Sequence, residues 1–576
     1  MKKLFSYLSS YKKESILGPL FKLLEAAFDL MVPVVVAQMI DVGIKNSDSA
    51  YIMKMCGVLL LLAAVGFACS ITAQYFAAKA SAGFAKKLKQ SLFGHINTLS
   101  FSEIDELGTS SLITRMTSDM NQLQSAVNLG LRLLLRSPFI VFGAMIMAFT
   151  IDVKAALVFV VAIPLLAAVV FGIMIGSIPL YKKVQQKLDK VMLRTRENLT
   201  GVRVIRAFGK EEAEKQAFDE ENEALAAIQK FAGKISALMN PVTYVLINLA
   251  AAVLIYIGGQ QTDAGMVTQG EVVALYNYMS QILVELIKLA SLIITMTKAA
   301  ACWTRINTVF GMKPGIEYPD TLDKSLTESA DEAVRFENVG MTYKNAPEEA
   351  LTDISFTVKR GETVGVIGST GSGKSTLVNL IPRLYDVSSG AVYVNGINVK
   401  EYPKDELRRK IGIVLQKAVL FRGTIRENIK WGNETASDSE IMAAVTTAQA
   451  ADVVNGKKGG LDHMIEQGGR NLSGGQRQRL TIARAIVRRP EILILDDSAS
   501  ALDYATDAKL RKSISELDYS PTVFIVSQRT ASVMNADKII VLEDGRISAM
   551  GTHEELLKTS EVYNEIYSSQ FKKEVG

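Results

Sequence analysis

The stretch VGVIGSTGSGKSTLVNLI, residues 364–381, decides the fold of the C-terminal half of this chain. Residues 364–367 read as a short apolar strand. Gly368 to Ser375 match G-x-x-x-x-G-K-[ST], and the chain turns helical from Leu377 onward. A strand, then a glycine-rich loop, then a helix is the setting a phosphate-binding loop requires. Backbone N–H groups of Gly368, Ser369, Thr370, Gly371, Ser372 and Gly373 can wrap phosphates, and Lys374 reaches the β- and γ-phosphates. The helix N-terminus at Ser375 and Thr376 adds partial positive charge, and the Ser375 hydroxyl suits Mg²⁺. A second apolar strand, ILILDD at 492–497, ends on Asp496, suited to hold Mg²⁺ through water. ATP with Mg²⁺ is the expected ligand.

Working outward, 576 residues are too many for one domain. Hydrophobic residues make up 49% and mean hydropathy is +0.20, which points to membrane spans. Long apolar runs crowd residues 16–300, whereas residues 330–576 read as an α/β domain. A span needs about 20 mostly apolar residues. Six stretches qualify: about 16–40, 55–78, 129–151, 155–178, 237–259 and 272–297. The expected organisation is a six-helix α-helical transmembrane domain over 1–315, a linker over 316–331 and an α/β P-loop nucleotide-binding domain over 332–576.

The 2–3 and 4–5 connections are long and basic, carrying Lys86, Lys87, Lys89 and Arg115 in one and Lys182, Lys183, Arg194, Arg203 and Arg206 in the other. The 5–6 connection, GGQQTDAGMVTQGE, has no Lys or Arg. Positive charge marks the cytoplasmic side, so both termini and both long loops are expected there. The net charge of +5 is mild; it suits loops beside anionic lipid rather than nucleic-acid binding. Cys56, Cys69 and Cys302 form no disulfide or zinc pattern and read as small core hydrophobes. The start, MKKLFSYLSSYKKES, lacks the apolar core and cleavage site of a signal peptide. Its Leu4, Phe5, Leu8 and Tyr11 recur at helical spacing, as in a short helix lying on the membrane surface.

Lys22, Glu25 and Asp29 share one face of the first span, and Glu285 with Lys288 repeats the theme in the sixth. Charges in a bilayer are costly and face a cavity or a partner. Two readings stand: a polar lining for a transport pathway, and internal pairing of Lys22 with Glu25 and of Glu285 with Lys288. The long loops carry helical patterning with breaks at Gly108, Gly201 and Gly209, and could transmit force to the nucleotide domain.

One further motif makes the resemblance specific. Leu472 to Gln476, LSGGQ, is the signature of ATP-binding cassette (ABC) proteins. Gln416 in IGIVLQKAVLF matches the family's Q-loop, Tyr343 matches the aromatic that stacks on adenine, and SALD, ending at Asp503, matches the D-loop. With six preceding spans, the chain resembles an ABC exporter half-transporter of type IV architecture. The resemblance implies a dimer with two ATP molecules between two nucleotide domains. Ser473 and Gly475 would touch the ATP of the second subunit. Gln416 would join Ser375 and Asp496 around Mg²⁺, and coupling helices would fall near 109–119 and 200–208.

Two residues depart from that family's pattern. Asp497 stands where the general-base glutamate belongs, about 1.5 Å shorter in reach. Gln528 stands where the γ-phosphate histidine belongs, and glutamine cannot carry a proton and positive charge there. Gln467 replaces a further glutamate ahead of the signature, and His95, His463 and His553 are not placed to substitute. The chain thus resembles the degenerate-site subunit of bacterial heterodimeric ABC exporters, with a slow homodimer as the alternative. The implied function is export of amphipathic, drug-like compounds across the cell membrane. Lipid or peptide export, or a regulatory ATP-sensing subunit, are the other readings; with no peptidase domain ahead of residues 1–15, peptide processing is the less expected.

Overall fold

The computed structural model describes residues 6–571 except Lys324 and Asn345, so Leu4 and Phe5 lie outside the described residues. The chain divides into two compact units: Met1–Asn97 with Ser110–Gly311, and Thr98–Thr109 with Met312–Gly576.

The first unit is built from six long helices: α1 (Ser6–Ile44), α2 (Ser49–Thr98), α4 (Thr109–Ile151), α5 (Val153–Ala207), α6 (Glu211–Asp263) and α7 (Gln269–Gly311); the short α3 (Phe101–Leu107), between α2 and α4 in sequence, belongs to the second unit. All six are long and apolar enough to cross a membrane. The most apolar stretch of α2 is only 11% buried, so its composition is not that of a water-soluble core. Alanines line the packed faces, with Ala26, Ala144, Ala148, Ala155, Ala156 and Ala274 all fully buried. Small side chains let membrane helices approach closely where no hydrophobic drive exists between them. Pro19 and Pro33 sit inside α1, and Pro164 and Pro179 inside α5.

Several expectations are corrected here. The long connections are mostly helix, as their patterning indicates, but α5 runs unbroken to Ala207, so residues 200–207 form its last turns rather than a separate helix. Gly201 lies inside that helix and is no break. The chain turns only at Gly209, whose φ of 59° is left-handed. Residues 109–119 belong to the start of α4, helical to Thr114 and then widened into a π turn at Arg115–Asp119. The separate helix of that connection is α3. Ser100 and Glu103 form its capping box, and Gly108 at φ 72° ends it. Within α1, Ser9–Tyr11 is one 3₁₀ turn and Tyr11, at φ −120° and ψ 35°, leaves helical geometry, so a bend separates Ser6–Leu8 from the α-helix Lys12–Gln38 of the first span. The Tyr11 ring lies over Gly83, where a Cβ would fall 2.1 Å from it.

The second unit holds two sheets. Strands β1 (Glu332–Met341), β2 (Leu351–Lys359), β4 (Ser389–Val394) and β5 (Ile397–Asn398) form an antiparallel sheet in the order β2-β1-β4-β5. Strands β3 (Thr363–Gly368), β6 (Ile411–Val414), β9 (Ile492–Asp496), β10 (Thr522–Val526), β11 (Lys538–Glu543) and β12 (Arg546–Gly551) form the other, in the order β12-β11-β3-β10-β9-β6. A two-residue pair, β7 (Gly423–Thr424) with β8 (Met464–Ile465), stands apart. In the six-stranded sheet only β12 pairs antiparallel. Buried on both faces, β9 and β10 have no exposed position, which is why ILILD and TVFIV show no alternation.

Candidate functional site

The site lies where β3, β10 and β9 end side by side. Val526 registers with Val366 on one side and Asp496 on the other. Three segments distant in sequence therefore meet at the carboxyl ends of neighbouring parallel strands, the usual ligand crevice of such sheets. The P-loop leaves β3, Asp496 ends β9, and Gln528 stands two residues beyond β10.

These residues surround one cavity of about 280 Å³. Its wall takes Thr370, Gly371, Gly373, Lys374, Ser375 and Thr376 from the loop and helix, and Tyr343 from the segment after β1. Gln416, Asp496, Asp497 and Gln528 also line it, with Ala350, Val526 and Ser527. Gly368, Ser369 and Ser372 stand just behind this lining, where the lysine finds its partners. The Lys374 ammonium donates to the Gly368 and Ser369 carbonyls at 2.9 and 2.5 Å and to Ser372 Oγ at 3.4 Å. Burial pulls this ammonium below its usual range, against the attraction of Asp497 and Asp496. Gly373 must be glycine: its φ is 93°, and a Cβ would sit 2.7 Å from the Ala350 carbonyl. The Tyr343 hydroxyl lies 3.0 Å from Thr376 Oγ1, fixing that ring beside the loop.

Ser375 Oγ donates to Asp496 Oδ1 at 2.9 Å. Burial pushes the Asp496 carboxyl above its usual range, and Asp497 adds to this against the Ser375 hydrogen bond and Lys374. A hydroxyl, a buried carboxylate and the Gln416 amide form an all-oxygen set facing one cavity, the chemistry Mg²⁺ selects. Mg²⁺ held there would neutralise phosphate charge as a Lewis acid.

Asp497 is half-buried and adopts φ 46°, a left-handed conformation Asp enters more readily than most residues. Its N–H donates to the Val526 carbonyl at 2.9 Å, and its Oδ2 accepts from Gln416 Nε2 at 3.3 Å. Gln528 is exposed, with its carbonyl held by Gln570 Nε2 at 2.8 Å.

Ser473 and Gly475 do not line this cavity. Ser473 caps the helix Gly474–Ile486, sharing a capping box with Gln476, and its side chain is exposed. Gly475 lies against the loop at 498–503, where a Cβ would be 2.9 Å from the Ala501 carbonyl.

In the first unit the charged residues of α1 and α7 meet around a residue that patterning missed. Arg136 of α4 donates to Glu285 Oε1 at 2.6 Å and to Asp29 Oδ2 at 2.8 Å, and lies 3.7 Å from Glu25 Oε1. Lys22 pairs with Glu25 at 2.5 Å and reaches Ser70 Oγ at 3.2 Å. Lys288 and Ser137 hold the two oxygens of Glu285 at 2.9 and 2.7 Å. Both expected internal pairs form, and the charges cancel: Lys22, Arg136 and Lys288 against Glu25, Asp29 and Glu285. An arginine inside the apolar run 129–151 was the available signal.

A six-helix membrane unit and a P-loop α/β domain on one polypeptide define an ATP-driven membrane transporter subunit. The sequence pattern described as the ABC transporter transmembrane region matches residues 15–286, and that described as ABC transporter matches residues 351–500. The ABC transporter ATP-binding protein YfiB of Bacillus subtilis (strain 168), itself uncharacterized, is 36% identical over 100% of this chain and 99% of its own length. YgaD of the same organism, provisionally named a multidrug export ATP-binding/permease protein, is 30% identical over 99% of each. A bacterial Atm1-family ABC exporter with ATP bound shares the fold at a TM-score of 0.80, with 22% identity over 98% of this chain and 99% of that one. The chain belongs to the ABC transporter family and has the exporter fold, membrane and ATP-binding domains on one polypeptide.

Proposed function

We propose that this chain is the degenerate-site subunit of a heterodimeric exporter that moves amphipathic, drug-like compounds out of the cytoplasm. Asp497 and Gln528 carry the reading. They line the same cavity as Lys374 and Asp496, so the groups that bind phosphate and Mg²⁺ are present while the base and the histidine are replaced. Asp497 can polarise water, but its carboxylate stands one methylene short of a glutamate's. A misplacement near 1 Å can cost ~10²-fold in rate. Gln528 can donate a hydrogen bond to a γ-phosphate without bringing positive charge. ATP would be held here and turned over slowly, while Ser473 and Gly475 complete the second subunit's site. The provisional naming of YgaD for multidrug export supports the substrate class. Cell-membrane placement with cytoplasmic termini follows from the basic loops. Asp29 and Lys288, the more exposed ends of the charge cluster, are the proposed pathway residues.

Lys374→Ala tests the division of labour. Losing charge-assisted hydrogen bonds of ~1.5–3 kcal/mol should weaken ATP binding at this site by roughly 10- to 100-fold. The purified complex should keep much of its ATPase activity, because turnover sits on the second subunit. Complete loss of hydrolysis with the assembly intact would show that this site does the chemistry.

A further inference from the structure

Tyr385 has no part in the site as described, yet it touches it. Its half-buried ring meets the edge of Tyr343, centroids 5.3 Å apart and planes at 82°. Its hydroxyl donates to Asp105 Oδ2 of α3 at 2.6 Å, and Phe101 of α3 packs on the same ring at 6.1 Å. Burial, then the Asp105 carboxylate, raises the phenol far above its usual range, so it stays protonated and a donor. A second tie runs alongside: Lys344, next to Tyr343, pairs with Glu106 Oε2 at 2.7 Å. These contacts all lie within the second unit.

Helix α3 is also tied to the chain leaving α7. Glu103 accepts the N–H groups of Ser100 and Gly315 at 2.9 and 3.2 Å. Gly108 ends α3 in a left-handed turn, and the chain passes directly into α4. Helix α3 is thus a seven-residue piece bounded by the Ser100 capping box and the turn at Gly108.

We propose that Tyr385 is a positioning residue that reads whether a nucleotide base lies on Tyr343 and passes that state to α3 through Asp105. The proposal rests on this site binding ATP. Tyr343 is held at its hydroxyl by Thr376, so a base stacked on its face fixes the ring's tilt. Edge contact passes that tilt to Tyr385, and a short O–H···O⁻ bond is directional enough to pass it on. A site that holds ATP without turning it over then acts as a standing signal to the membrane helices.

Hydrogen exchange of peptides covering residues 98–109 tests this in the assembled transporter. The P-loop lysine of a different second subunit is replaced, so that only this site binds; two copies of this chain need no replacement. A non-hydrolysable ATP analogue is the probe, and its Kd is measured in parallel. The analogue should slow exchange in the wild type. In Tyr385→Phe that slowing should fall by about fivefold or more, while Kd shifts by less than about twofold and exchange without nucleotide stays unchanged. Asp105→Asn, which keeps an acceptor, should retain the response, and Asp105→Ala should lose it. Full slowing in Tyr385→Phe overturns the relay, as does the same rise in exchange with and without nucleotide, which marks a merely structural role. Binding without any slowing in the wild type sinks the relay alone. Absence of analogue binding sinks both the relay and the reading of the site as ATP-holding.

Discussion

The double change Asp497→Glu with Gln528→His should raise ATP hydrolysis at this chain's own site by roughly 10²-fold. Under the proposed heterodimeric reading, it is measured in a complex whose second site has been silenced by replacing the catalytic glutamate expected there with Gln. Either change alone should give little, because residues acting as a unit are non-additive. The structure gives the reason. Asp497 lies within 3.3 Å of Gln416, in the cavity that holds Ser375 and Asp496, so a longer carboxylate is delivered to an otherwise complete set. Gln528 lies just beyond the end of the neighbouring parallel strand β10, exposed, with its backbone carbonyl accepting from Gln570, so its side chain can be exchanged without breaking that bond. No gain from the double change would move the defect to the signature contributed by the second subunit. A high rate before any change, with the second site silenced, would refute the degenerate-site reading.

The second large effect is expected at Arg136. Arg136→Ala leaves Glu25, Asp29 and Glu285 facing one another around a missing cation. Removing one partner from a buried ion network costs about 3–5 kcal/mol, so the variant should assemble poorly or lose many degrees of thermal stability in detergent. Arg136→Lys should recover only part of this, since an ammonium cannot hold Glu285 and Asp29 with separate nitrogens. Asp29→Asn is different in kind. Asp29 keeps 43% side-chain exposure and one bond to Arg136, so its loss should alter transport rate or substrate profile more than stability or ATP affinity. Unchanged transport with a lowered melting temperature would assign the cluster to structure alone. Wild-type stability in Arg136→Ala would remove it as the tie among α1, α4 and α7.

Much of the fold was legible in the chain because its signals are local. Six apolar runs of spanning length, a strand-loop-helix around Lys374 and the LSGGQ segment each lie within a few tens of residues. Their meaning follows from hydropathy, helical period or loop geometry. Ser100 with Glu103 was equally local, a capping box ending at Gly108, yet patterning placed the helix one segment later. Gly201 shows the opposite error: a glycine inside a long helix costs about 1 kcal/mol relative to alanine and need not end it.

Sequence by itself determined the class of both units and the phosphate-binding loop, and it placed an aspartate at 497 and a glutamine at 528. Tertiary structure alone decided which distant residues share a site. Arg136 finds Glu285 across 149 positions, and Tyr385 finds Asp105 across 280. Asp496 and Gln528 flank one cavity because β10 lies between β3 and β9. Periodicity states which face of an element is apolar, but not which element covers it. A buried charge must find its counter-charge wherever packing brings one, and that choice is made by the fold as a whole.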